Sequence, residues 1–399
     1  MKHFALLTIS CILALGVVGC KKDPVAGNAS KKGFTGETVT VGEHRGLFKN
    51  LYILSEGSMG RNEASLDFFT PESGIYVRNS YLQANPSIEL GDTANDIIAV
   101  GDEIWIALNG SDLIEVVDAQ TLVHKTTITV PTPRYMLNDY GQYVYVTSYN
   151  GAYAKYSYNS ELGYSVITDY KNPRGVVYKI DPKDHHIASL VQVGYQPEGV
   201  ALANDKIYAA NSGGISSQLA PDYAYDNTIS EIDRETMKVT ATLTGQDNAR
   251  ELLVSSEGVL WEHCLGDYGS VHSGLYKITS SGPVRVTAEG CELCVSVITQ
   301  HHDEFWIIGS DDEFNWEKAD KSWYVYKINK EGVATKVNVD IQATYPYGIA
   351  VDPETEDLYI TDGGTGGELG TVYCHSKANG YSLKWKAVSG VFPGHFLFL

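Results

Sequence analysis

Pro197-Glu198-Gly199-Val200-Ala201-Leu202 is followed after a short turn by Ile207-Tyr208-Ala209, and this pair decides the fold. A proline- and glycine-led apolar segment feeds a second strand whose middle residue is aromatic. β-Branched and aromatic residues fill both, which suits a pleated surface buried on its faces. The same pairing returns as Pro346-Tyr347-Gly348-Ile349-Ala350-Val351 before Leu358-Tyr359-Ile360.

The aromatic strand occurs seven times. It reads Leu51-Tyr52-Ile53, Ile104-Trp105-Ile106, Val144-Tyr145-Val146, Ile207-Tyr208-Ala209, Leu260-Trp261-Glu262, Phe305-Trp306-Ile307 and Leu358-Tyr359-Ile360. The steps run from 40 residues (Trp105 to Tyr145) to 63 (Tyr145 to Tyr208). A third strand follows each copy, as in Leu113-Ile114-Glu115-Val116-Val117, and several end in tight turns such as Asp181-Pro182-Lys183-Asp184. A fourth closes the unit, as in Val239-Thr240-Ala241-Thr242-Leu243. Four short strands at this period predict an all-β, seven-bladed β-propeller. The first unit lacks its leading strand, and Phe392-Pro393-Gly394-His395-Phe396-Leu397-Phe398-Leu399 supplies one at the other end. The C-terminal strand is therefore expected to complete the first blade and remove the open edges.

Residues 1–19 predict a lipoprotein signal peptide: Lys2 and His3, an apolar run from Phe4 to Val18, then Gly19 before Cys20. Cys20 is the expected lipidation site. Residues 20–37, rich in Lys, Gly, Ser and Asn, read as a flexible tether, and 38–399 as the propeller. Lys21-Lys22-Asp23 resembles the charged tag of surface lipoproteins, which implies an outer-membrane protein exposed at the cell surface. A net charge of −19 argues against nucleic acid and against anionic lipid as partners, leaving the anchor as the membrane contact.

In a propeller, the loops after the aromatic strands share one face with the connections between blades. The long insertions are of this type: Asn150 to Arg174, Ser212 to Asn227, Ser310 to Lys321 and Gly363 to Gly370. They carry Tyr149, Tyr153, Tyr156, Tyr158, Tyr170, Tyr223, Tyr225 and Trp316, flat apolar rings of which the tyrosines have polar tips, suited to a large amphipathic ligand or a protein partner. The competing reading packs these rings over their own loops. The starts of the leading strands should ring the channel mouth with Asn95, Arg134, Glu198, Arg250, Tyr347 and His395. These are ligand-binding candidates or, alternatively, a polar plug of the channel.

Other motifs are weaker. Cys291-Glu292-Leu293-Cys294, with Cys264, His263, His272, His301 and His302 within forty residues, has metal or redox spacing but no predicted helix. In an exported protein, a disulfide from Cys264 to one of the pair is the simpler expectation, with buried thiols as the alternative. Cys374 reads as core. Asp311-Asp312-Glu313 is a calcium-compatible cluster that more often is simply solvated. Gly363-Gly364-Thr365-Gly366-Gly367 lacks the lysine and helix of a phosphate loop. No catalytic residue, resident metal or cofactor is assigned. A channel-metal enzyme would draw on Asn95 and Glu198.

The lipobox, Leu51-Tyr52-Ile53-Leu54-Ser55-Glu56-Gly57, Pro133-Arg134-Tyr135 and Pro393-Gly394-His395-Phe396 together resemble the YncE-like, DUF5074-type surface lipoproteins of Bacteroidetes. The resemblance is closest in character to the BtuG group, which captures vitamin B12. It implies a non-enzymatic protein that takes cobalamin or related corrinoids from the medium and passes them to a TonB-dependent transporter of the BtuB type. It carries no individual binding residue over to these loops. Capture of another nutrient or of a protein partner, or a lactonase- or lyase-type activity, are the alternative readings.

Overall fold

The computed structural model describes residues 38–40, 50–160, 164–214, 225–268, 270–288, 291–310 and 323–399. The signal peptide, Cys20 and the tether lie outside them, as do Tyr223, Trp316 and Asp311-Asp312-Glu313. Among the described residues the chain forms seven antiparallel sheets of four or five strands and two short hairpins. Blade two shows the pattern: Ala94–Val100, Glu103–Leu108, Leu113–Asp118 and His124–Thr129, paired in chain order from the axis outward.

Blade one is closed as the sequence predicts. Pro393–Phe398 is its inner strand and pairs antiparallel with Leu51–Ser55, Leu51 facing Phe398 and Leu54 facing His395. At its outer edge Thr38–Thr40 adds a fifth strand on Ile75–Val77. The two ends of the body thus flank one blade.

The core lies between blades. Among the described residues there are seven buried apolar clusters, and each draws on two neighbouring sheets. The aromatic strands explain why. In Leu51–Ser55, Tyr52 and Leu54 pack towards blade two, while Leu51 and Ile53 pack towards blade seven. Side chains alternate across a strand, so one buried on both faces reads as an unbroken apolar run. Phe69 of blade one meets Trp385 of blade seven at 4.8 Å between ring centroids, which seals the ring. Fully burying such a side chain is worth about 1.5–3 kcal/mol, so seven interfaces outweigh any single turn or loop.

The proline that leads several inner strands also has a packing reason. A Cβ on Gly175 would come within 2.1 Å of the Pro197 ring, and one on Gly370 within 2.5 Å of the Pro393 ring. Each proline therefore rests on a bare glycine of the preceding blade. On the opposite face, side chains clasp the next blade's turn: Tyr52 donates to the Ala119 carbonyl (2.9 Å) and Lys179 to that of Arg234 (3.0 Å).

Candidate functional site

Every inner strand is irregular at its second or third residue. The ladder shifts between Ala94 and Asp96, between Ala249 and Glu251, and between Pro346 and Gly348. It shifts likewise after Pro133, Pro197, Val295 and Pro393. A bulge frees a side chain from the alternation of its strand and re-aims it. Asn95, Arg250 and Tyr347 are the residues stepped over, and Arg134 and Glu198 lie in the equivalent gaps.

These five residues converge. With Glu56, Met59, Thr93, Asn248, Ala249 and Leu265 they line one cavity of about 190 Å³. Arg134 donates from Nε to Glu198 Oε2 at 2.8 Å and from Nη1 to Asn95 Oδ1 at 2.6 Å, while Nη2 lies 2.8 Å from the same Glu198 oxygen. The Tyr149 hydroxyl donates to the other Glu198 oxygen, and its ring lies under the Arg134 guanidinium, 4.9 Å from centroid to charge. Three blades are tied together by one arginine.

His395 sits one position deeper than the rest, because Gly394 occupies the bulged position of blade one. Its Nε2 lies 3.5 Å from Glu56 Oε1. Below the mouth a second group joins it. Arg250 Nε donates to the Tyr135 hydroxyl at 3.4 Å and lies 3.2 Å from Glu251 Oε1. Glu251 accepts from His263 Nδ1, whose Nε2 reaches the Val295 carbonyl at 3.2 Å. Asp96 accepts the Met136 N–H at 2.7 Å.

Burial would raise the Glu56 carboxyl, but the neighbouring His395 imidazole, then Arg250 and Tyr347, outweigh it and hold it below the usual range. Glu251 is likewise lowered: burial opposes, and His263 and Arg250 win. Asp96 goes the other way, pushed up by burial despite His395 and two backbone N–H donors. Burial also raises the Tyr135, Tyr149 and Tyr347 hydroxyls, which stay neutral donors. A metal ion held by Asn95 and Glu198 would have to displace Arg134, which already engages both.

The loop tyrosines divide. Tyr149 belongs to the mouth. Tyr153 and Tyr170 lie on a hairpin, Tyr153–Asn159 against Tyr164–Lys171, that rises from blade three. Tyr153 donates to Asp169 at 3.3 Å, and Lys155 bonds the same carboxylate at 2.8 Å, so part of this set braces its own loop. Tyr158 is 68% exposed. The side chain of Tyr156 lies outside the described residues. Tyr225 meets Tyr268 at 6.4 Å in an edge contact. Tyr268 was not anticipated from the sequence, since its loop is short; it is 52% exposed and lies within the field of Arg250 and Glu198. Met59, 62% exposed, is a second unanticipated residue of the rim. Glu56, Thr93 and Asn248 were missed for a plainer reason: they come from a strand end and inter-blade connections that repeat no phrase.

The cysteine expectation needs correction. Cys264 and Cys294 lie buried outside any disulfide, so Cys264 is bridged to neither member of the pair. Each is fixed in a different blade's ladder, Cys264 opposite Ala249 and Cys294 opposite Ser310. Burial pushes the Cys264 thiol up to about 12, which keeps it inert. Cys374 is core, as expected. The nearby histidines do not converge on these thiols: His263 serves Glu251, His272 lies 4.0 Å from Glu292, and His301 and His302 meet each other in a tilted ring contact.

Residues 49–399 match the family described as Domain of unknown function (DUF5074). No curated protein matches the sequence. Solved structures share the fold at low identity. A quinonprotein alcohol dehydrogenase-like protein from Bacteroides thetaiotaomicron is 13% identical with a TM-score of 0.53, over 88% of this chain and 78% of that one. A putative 6-phosphogluconolactonase from Bacteroides fragilis is 11% identical, TM-score 0.51, over 88% and 98%. The WD40 β-propeller domain of Doa1 is 12% identical, TM-score 0.52, over 87% and 93%. At such identities the likeness concerns the propeller alone.

Proposed function

Since the chain belongs to the DUF5074 family, we propose that it is a lipid-anchored surface protein that captures corrinoids and passes them to a TonB-dependent transporter of the BtuB type. The supporting observation is the build of the loop face. A small polar mouth of about 190 Å³ is bordered by exposed Met59 and Tyr268, and the loop that brings Tyr149 to it continues into a tyrosine-bearing hairpin. Pockets that enclose a drug-sized ligand run to roughly 300–1,000 Å³. A large ligand therefore lies across this face, with only a peripheral group reaching into the mouth. A flat, amide-fringed macrocycle has that shape, and tyrosine rings with polar tips suit both its plane and its fringe. The buried charges beneath are paired with one another, so the face offers recognition without an activated nucleophile. Cys20 supplies the anchor, and delivery to the transporter involves no covalent chemistry.

The test is calorimetric titration of the body, residues 33–399, with cyanocobalamin and cobinamide. One-to-one binding that weakens when the 153–171 hairpin is shortened supports capture at this face. Absence of heat, together with no shift of the visible bands, refutes the corrinoid reading.

A further inference from the structure

Arg134 and Arg250 hold equivalent positions in the inner strands of blades three and five, yet their guanidinium groups are used differently. All three nitrogens of Arg134 are engaged, by Glu198 and Asn95. Arg250 spends only Nε, on the Tyr135 hydroxyl and Glu251. Among the described residues neither of its Nη groups has a hydrogen-bond partner, and Arg250 lines the mouth cavity beside Glu56, Asn248 and Tyr347.

The charge around it is also particular. Four carboxylates, Glu56, Asp96, Glu198 and Glu251, face two arginines and the histidines His263 and His395. An entering carboxylate would add a fifth acid and bring acceptors only. A carboxamide brings a carbonyl acceptor for Arg250 and an N–H donor for the neighbouring acids, with no added charge. We propose that the channel mouth reads a carboxamide, that Arg250 Nη takes its carbonyl oxygen, and that the corresponding carboxylate is rejected. This rests on the reading of the loop face as a capture site, but it concerns the group recognised and not the whole ligand.

The experiment has two arms. In the first, the body labelled with ¹⁵N-arginine is titrated with acetamide and with acetate, and the Arg250 signal is assigned by its loss in Arg250→Lys. Movement with acetamide and little with acetate supports the proposal. Equal movement, preference for acetate, or no response to acetamide overturns it. In the second arm, cyanocobalamin is compared with its monocarboxylic acids, in which one side-chain amide is hydrolysed. Binding of at least one acid should be weaker by about tenfold or more, and Arg250→Gln should weaken the amide while leaving the gap undiminished, because the four acids that repel the carboxylate stay in place. Acids that bind as well as the amide overturn the proposal. If cyanocobalamin itself fails to bind, the corrinoid reading falls, while the acetamide arm still decides the role of Arg250.

Discussion

Ser389, at the end of blade seven, donates a 2.7 Å hydrogen bond to the buried carboxylate of Asp67 in blade one, 322 positions earlier in the chain. Asp67 also accepts from the Tyr76 hydroxyl (2.7 Å) and from the Asn79 N–H (2.8 Å). One carboxylate therefore joins the first and last blades. Ser389→Ala should cost about 1.5–3 kcal/mol, the usual worth of one hydrogen bond to a charged group. Urea unfolding would measure it. Removal of residues 393–399 takes away a whole inner strand and should abolish the cooperative transition; an unchanged midpoint would refute closure of the ring.

Glu262 is fully buried, with Oε2 accepting the Gln246 N–H at 2.8 Å and Oε1 without a partner. Burial pushes it from 4.5 up to about 8. The folded state thus holds a proton that the unfolded chain releases, so stability falls as pH rises from about 4.5 to about 8. Glu262→Gln should remove this slope and raise the melting temperature most at the alkaline end. Parallel melting curves for the two proteins across that window would contradict the assignment.

His375 works in the opposite direction. Its Nδ1–H donates to the Tyr381 carbonyl at 3.2 Å, Nε2 is buried without a partner, and burial holds its pKa below the usual 6.5. The unfolded chain binds the proton more readily, so this group's stability is present above about pH 6.5 and lost as pH falls below it. His375→Asn keeps the donor and should flatten the acid limb. Differential scanning calorimetry from pH 7 downwards checks this, and a steeper acid limb in the variant would be the wrong sign.

Arg134→Ala should be the most damaging single change at the mouth. It strands Glu198 and Asn95 in a partly dry site, for a loss of about 3–5 kcal/mol. The double change Arg134→Met with Glu198→Leu removes both charges and should recover much of that loss. A double variant as unstable as Arg134→Ala would mean that the pair matters for more than its mutual compensation.

The ring was legible because its interfaces demand the same residues seven times. Trp105, Trp261 and Trp306 each fill the same slot between blades, and a slot of fixed shape leaves a visible period in the chain. Asn95, Arg134, Glu198, Arg250 and Tyr347 could be placed at the mouth for the same reason, since each follows the first residue of an inner strand. What that reading could not supply was pairing. Nothing in the spacing shows that Arg134 is saturated while Arg250 is not, because that depends on which neighbour fills the next bulge. Tyr268 and Met59 escaped because exposed rim residues obey no packing rule. The thiols misled because sequence proximity ignores the blade boundary between Cys264 and Cys294.

The bulge at the head of each inner strand separates two tasks that most β-structures force on the same residues. Ladder positions answer to the neighbouring blades and tolerate little variation. The off-ladder position answers to what occupies the axis and to the off-ladder residues of its neighbours, and there is one such place per blade. The propeller is therefore a ring of seven sockets on a fixed frame, some coupled to their neighbours: here they hold asparagine, arginine, glutamate, arginine, serine, tyrosine and glycine, at Asn95, Arg134, Glu198, Arg250, Ser296, Tyr347 and Gly394. Rewriting those seven letters would give a protein of the same shape a different appetite, which makes the set a compact starting point for redesign.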